Sequence, residues 1–151
     1  MPDFVLPKID TKTLGVPAFE YAFQVFAKLD TPHATKTTRG GRLFQSIAGG
    51  EVKGPRLTGT VYPYSGGDFS FIEKDGVQEL NARYMMRAAD TNEWIYVEHR
   101  GYKRPGYYRI QASFDADKQG KYATLNGGIF LAIAEEVPGK NEVTFTYYEV
   151  T

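Results

Sequence analysis

From residue 19 onward, apolar and polar side chains alternate in short runs separated by Gly, Pro, Asp or Asn. Alternation with a period of two marks a strand that buries one face. The candidate strands are 19–29, 42–48, 56–63, 68–73, 78–88, 94–100, 107–114, 121–126, 129–136 and 143–150. In the first of these, FEYAFQVFAKL, the alternation puts Tyr21, Phe23, Val25, Ala27 and Leu29 on one face and Glu20, Gln24 and Lys28 on the other. No stretch of twelve has helical periodicity. Turn signals fall between the runs, and Lys74-Asp75-Gly76 suits a tight hairpin because Asp-Gly accepts positive φ. Many short strands at regular spacing predict an all-β protein, an antiparallel barrel or a sandwich. The Gly-Gly pairs at 40–41, 49–50, 66–67 and 127–128 suit the bulges and sharp corners of a barrel. Residues 1–18, with Pro2, Pro7 and Pro17, read as an extended N-terminal arm, and 19–151 as a single β-barrel domain.

Composition narrows the function classes. The chain has 151 residues, no Cys, 18 Lys plus Arg, 18 Asp plus Glu and two His. Without Cys there is no disulfide framework and no thiolate zinc site. His33 and His99 alone make a His-based metal site a poor expectation, so no metal is assigned. Zero formal charge argues against a main role in gripping nucleic acid or anionic lipid. No apolar run reaches the ~18 residues needed to span a membrane, and the N-terminus lacks the pattern of a secretory signal. The expectation is an intracellular protein. No phosphate-cradling glycine loop, Gly-x-Ser-x-Gly elbow or nucleophilic Cys is present. No cofactor is therefore expected.

Five stretches carry a family pattern: RLFQSIAGGEVKGPRLTGTVYPYSGGDF, QELNARYMMRAADTNEWIYVEHRGY, YYRIQASFD, KYATLNGGIFLAIAEE and VTFTYYEV. In this order they resemble the domain-of-unknown-function family 3237 over 42–150. The resemblance implies a lipocalin-like β-barrel of about eight to ten strands and a cytoplasmic, often dimeric protein. Its members occur near catabolic and secondary-metabolite genes, which suggests work on small aromatic or carbonyl compounds without establishing an activity. This chain has Asn81 where the family usually has Asp, and Phe69 where Trp is common. If that Asp were a general base in relatives, Asn81 could not replace it.

The candidate chemistry rests on which faces of the strands line the interior. On 78–88, Asn81, Arg83, Met85 and Arg87 share one face, and Leu80, Ala82, Tyr84 and Met86 the other. If the Asn81/Arg83 face is interior, Arg83 needs a carboxylate or an anionic ligand. On 94–100, Trp94, Tyr96, Glu98 and Arg100 share a face, and Glu98 is a potential partner for Arg83 or Arg100. Tyr96 can donate a hydrogen bond to a ligand carbonyl. Asp68, matched to the family pattern, is the best candidate for a general base, against the ordinary role of a turn-capping Asp. Asp68, Arg83, Tyr96 and Glu98 are thus the catalytic candidates; Arg42, Asn81, Trp94, Arg109 and Asn126 are the ligand-binding candidates. Asn126 reads more naturally as a strand-end amide. His99 shares a face with Ile95 and Val97 and reads as a surface or satisfied structural residue.

Three functions compete. One is a cofactor-independent isomerase, cyclase or lyase that moves a proton beside a carbonyl of an aromatic metabolite. Another is a non-catalytic carrier or sensor using the same cavity. The third, a single-stranded nucleic-acid binder, rests on the mixture of cations and aromatics at 99–109, and the neutral charge opposes it. The expected partner is a small molecule, with a homodimer possible and neither nucleic acid nor membrane.

Overall fold

The computed structural model describes residues 5, 7, 8, 10, 12 and 14–151. Of the expected N-terminal arm, residues 1–4, 6, 9, 11 and 13 lie outside these residues, and the described ones belong to no helix or strand. Among them are ten strands: β1 (Phe19–Leu29), β2 (His33–Thr37), β3 (Gly40–Lys53), β4 (Gly59–Val61), β5 (Gly67–Ile72), β6 (Gln78–Ala88), β7 (Trp94–Arg104), β8 (Tyr107–Ala116), β9 (Phe130–Glu136) and β10 (Glu142–Val150). Every pairing is antiparallel. The order runs β1-β10-β9-β8-β7-β6, then through β4 and β5 to β3, which pairs back to β1 and closes the ring. β4 and β5 fill one place end to end, against residues 50–52 and 41–46 of β3 respectively. The result is a closed eight-position barrel, with no free sheet edge around the ring.

Alternation decides what fills the barrel. Inward positions along β1, β6, β7, β8 and β10 are the apolar ones, and the buried core contains Phe23, Val25, Tyr84, Met86, Ile95, Val97, Phe114 and Tyr147. At one end the rings of Phe23, Phe114, Phe130 and Tyr147 meet at centroid distances of 4.9–5.5 Å. Three edge-to-face contacts and one tilted one pack that half solid. Arg56 covers the same end, lying 5.5 Å from the Phe130 ring centroid and pairing with Glu149. Toward the other end the inward residues become small: Ala82, Gly101, Ala112, Ala132 and Ala134. Of these, Ala82 lines the chamber described below.

The all-β barrel agrees with the sequence pattern, and β1 and β6 have the expected bounds. Two details differ. The run 121–126 is a 3-10 turn at Ala123–Leu125, not a strand. Its Tyr122 and Leu125 point into the core as a plug, which gives an apolar period without sheet pairing. Residues 33–37 form an exposed hairpin strand against the start of β3. No face of β2 is buried, so it carries no hydrophobic alternation. The segment around residues 103–106 is a plain β7–β8 hairpin turn with Gly106 at φ +73°.

Candidate functional site

The open half of the barrel holds a chamber of about 580 Å³ whose lining includes Gln45, Asp68, Gln78, Ala82, His99, Lys103, Tyr108 and Glu136. Strand register explains the convergence. Asp68 of β5 is opposite Ala82 of β6, and Ala82 is opposite His99 of β7. With strands roughly 4.8 Å apart, Asp68 and His99 stand about 10 Å apart along one inward row. The methyl group of Ala82 leaves the space between them empty. Two inward steps toward the mouth, beyond the row Leu80–Gly101–Ile110, Gln78, Lys103 and Tyr108 form a further inward row.

Several of these groups are committed to the wall. Gln45 donates to the Asp30 carbonyl at 2.9 Å, and Gln78 donates to the Ser70 hydroxyl at 2.8 Å. Lys103 pairs with Glu136 and lies 5.3 Å from the Tyr108 ring centroid. Asp68 Oδ1 accepts the Asn81 backbone N–H at 2.9 Å. Its pKa is nevertheless raised, because burial outweighs that bond, the Ser70 hydroxyl and the Lys103 charge. His99 is held by Nδ1 against the Tyr147 hydroxyl at 3.3 Å. Burial lowers its pKa to about 4, so the ring is neutral near pH 7. Tyr108 has its pKa raised by burial, with the Asp68 and Glu136 charges adding to the effect. Among the described residues, the Tyr108 hydroxyl and His99 Nε2 have no hydrogen-bond partner. The chamber therefore presents a carboxyl with raised proton affinity, a neutral imidazole and an unspent phenol.

Of the catalytic candidates, only Asp68 lines the chamber. Leu80, Ala82, Tyr84 and Met86 take the inward face of β6, so Asn81 and Arg83 point outward. Arg83 faces Glu98 across β6 and β7, and they pair at 3.3 Å with both side chains well exposed. The Tyr96 hydroxyl donates to Glu98 at 2.8 Å, and that carboxylate raises its pKa. Arg83, Tyr96 and Glu98 thus come together outside the barrel, with their polar groups turned on one another. Water solvates the charges there, whereas the apolar face fills the core.

The ligand-binding candidates also lie away from the chamber. Trp94 is outward, with the Arg87 guanidinium 4.6 Å above it and Tyr62 at 4.9 Å. Asn126 clamps Ala116, accepting its N–H at 2.7 Å and donating to its carbonyl at 2.9 Å. Arg42, Asn81 and Arg109 share an outer depression. The chamber residues missed from sequence are His99, Lys103, Tyr108, Gln78, Gln45 and Glu136. Part of their signal was available: Ala82 between Leu80 and Tyr84 marks an inward position that is apolar but small.

A family model described as a protein of unknown function (DUF3237) matches residues 17–106. A UPF0311 protein of Rhodopseudomonas palustris strain TIE-1 is 34% identical over 96 residues, 63% of this chain and 56% of the relative. The matched stretch thus spans little more than half of that relative's length. A Clostridium acetobutylicum protein with unknown function has a crystal structure with TM-score 0.81 at 25% identity, covering 92% of this chain and 100% of that one. The crystal structure of an enzyme from Penicillium herquei aligns with TM-score 0.75 at 21% identity, covering 91% and 100%, a likeness of fold.

Proposed function

We propose a function from the premise that this chain belongs to the DUF3237 family: the chamber binds a small aromatic or carbonyl metabolite and moves a proton on it. The observation that carries this reading is the row Asp68–Ala82–His99, which sets a carboxyl and a neutral imidazole across an empty space. A chamber of about 580 Å³ suits one small organic molecule. Its ionised Asp68 takes a proton from the carbon beside a carbonyl. The electron pair moves onto the carbonyl oxygen, and the Tyr108 hydroxyl and the Nε2–H of the neutral His99 ring donate hydrogen bonds to the enolate. Asp68 then returns the proton at another atom, so the net change is an isomerisation without a cofactor. The raised pKa of Asp68 strengthens it as a base and moves the acid limb of activity upward from the ordinary carboxylate range.

The test uses the purified chain against a panel of aromatic ketones, phenolic acids and polyketide-like compounds. A bound compound raises the melting temperature by mass action. Asp68→Asn keeps that shift and loses turnover. Tyr108→Phe weakens both. A compound that shifts the wild type without ever being turned over makes the protein a carrier. A flat response across the panel sinks the chamber reading.

A further inference from the structure

A second concavity lies on the outside of the barrel, across β3, β5, β6, β7, β8 and β9, with a volume of about 700 Å³. Its lining includes Arg42, Arg100 and Arg109 against one carboxylate, Glu79. The chain has no net charge, so this is a local excess of cations. Among the described residues none of the three arginines has an ion-pair partner, although Arg83, two positions along β6, has Glu98. Glu79 is engaged elsewhere, with its carboxyl against that of Glu73.

The strand register organises these donors. Asn81, Arg100 and Gln111 are directly opposite one another on β6, β7 and β8, and all three face outward. Neighbouring side chains in such a row stand roughly 5 Å apart. The row therefore sets a guanidinium between two amides, and among the described residues none of these three side chains makes a hydrogen bond. Beside it, Tyr102 is opposite Arg109. Flat apolar surface borders the donors: Phe69 is 62% exposed and Tyr102 52%. Two of the arginines are held by rings, Arg42 at 4.9 Å from the Phe71 centroid and Arg109 at 5.2 Å from that of Tyr107. Arg109 also donates from Nη1 to the Tyr108 carbonyl at 3.1 Å, which leaves its other N–H groups, with those of Arg42, for a planar anion.

We propose that this outer groove is a binding site, separate from the chamber, for a small aromatic anion. Arg100, flanked by Asn81 and Gln111, takes the carboxylate or phosphate, Arg42 or Arg109 adds charge, and the exposed rings hold the flat body. The occupant is a single small molecule. A peptide or a second copy would have to bury the arginines against carboxylates of its own.

The test is a titration followed by amide NMR shifts, using 2-naphthoate, 2-naphthyl phosphate, neutral 2-naphthol and inorganic phosphate. Both aromatic anions move the resonances of 81, 100, 102, 109 and 111, and the stronger of the two identifies the anionic group. Naphthol and phosphate alone bind at least about tenfold more weakly, since each lacks half of the recognition. Arg100→Gln lowers affinity about tenfold or more at a cost near that of one charge-assisted hydrogen bond. Asp68→Asn, in the chamber, leaves the affinity unchanged, so this site and the chamber stand or fall separately. Three results overturn the proposal: no shifts with either anion, equal binding by Arg100→Gln, or a concentration-dependent dimer that Arg100→Glu dissociates.

Discussion

Burial acts on Asp68 and His99 in opposite senses, although they share one row of the chamber wall. Both prefer the neutral form, which raises the Asp68 pKa and lowers that of His99 to about 4 from 6.5. For Asp68, the folded state keeps its proton to higher pH than the unfolded state. Stability is greater below that range and is lost as pH rises through the folded pKa. At pH 7 the ionised carboxylate is therefore a cost that binding or catalysis retains. Asp68→Asn keeps an acceptor for the Asn81 N–H, so it raises the urea midpoint at pH 7, and the gain shrinks as pH falls toward 3.8. A lower midpoint at pH 7 would show that the carboxylate serves the fold. For His99 the unfolded state takes up a proton first as pH falls below 6.5, and the loss of stability levels off below 4. The total is on the order of 3 kcal/mol. His99→Gln flattens this part of the acid limb. Urea melts of both proteins at pH 7 and 4.5 measure the difference.

Strands were legible where one face is buried against the core and the other is wet. β1, β6 and β10 meet this condition, and their alternation located them. β2 has no buried face and left no pattern, while 121–126 has buried Tyr122 and Leu125 without a pairing strand. The orientation of β6 was harder to read. Arg83 has a partner only through β7, and a strand taken alone does not reveal that Glu98 lies opposite it. Asp68 is reached through the family pattern, its local setting after two glycines pointing instead to a turn cap, whereas Tyr108 and His99 depend on register across four strands. Close approaches between strands are marked by single glycines as well as by Gly-Gly pairs. A Cβ on Gly66 would stand 1.7 Å from the Arg83 carbonyl oxygen, and one on Gly101 2.0 Å from that of Arg109. Both obstacles are backbone, so no rotamer change relieves them. Gly101→Ala forces β7 and β8 apart beside both the chamber and the outer groove. It costs about 2–4 kcal/mol, read as a lowered denaturant midpoint. A midpoint within error of wild type would show that the hairpin shifts freely.

The two ends of the barrel divide stability from chemistry. At the packed end Phe114 is 1% exposed and touches the rings of Phe23, Phe130 and Tyr147. At the open end Ala82 keeps the wall open between Asp68 and His99, and the wall carries polar groups that the fold does not fully use. Substitutions at the two ends should therefore have opposite signatures. Phe114→Ala removes a ring from a close-packed cluster and lowers stability by about 3–5 kcal/mol. At a temperature where it is still folded, its affinity for a chamber ligand stays near that of wild type, because no chamber wall has moved. Ala82→Leu places three more carbons between Asp68 and His99. Overpacking costs roughly 1–3 kcal/mol, softened here because the added atoms enter empty space. Binding is lost because the ligand and the new side chain need the same volume. Melting curves and ligand titrations on both variants decide the matter. A Phe114→Ala protein that loses stability and affinity together would mean that the barrel responds as one body, and that the rigidity of the packed end sets the geometry of the chamber.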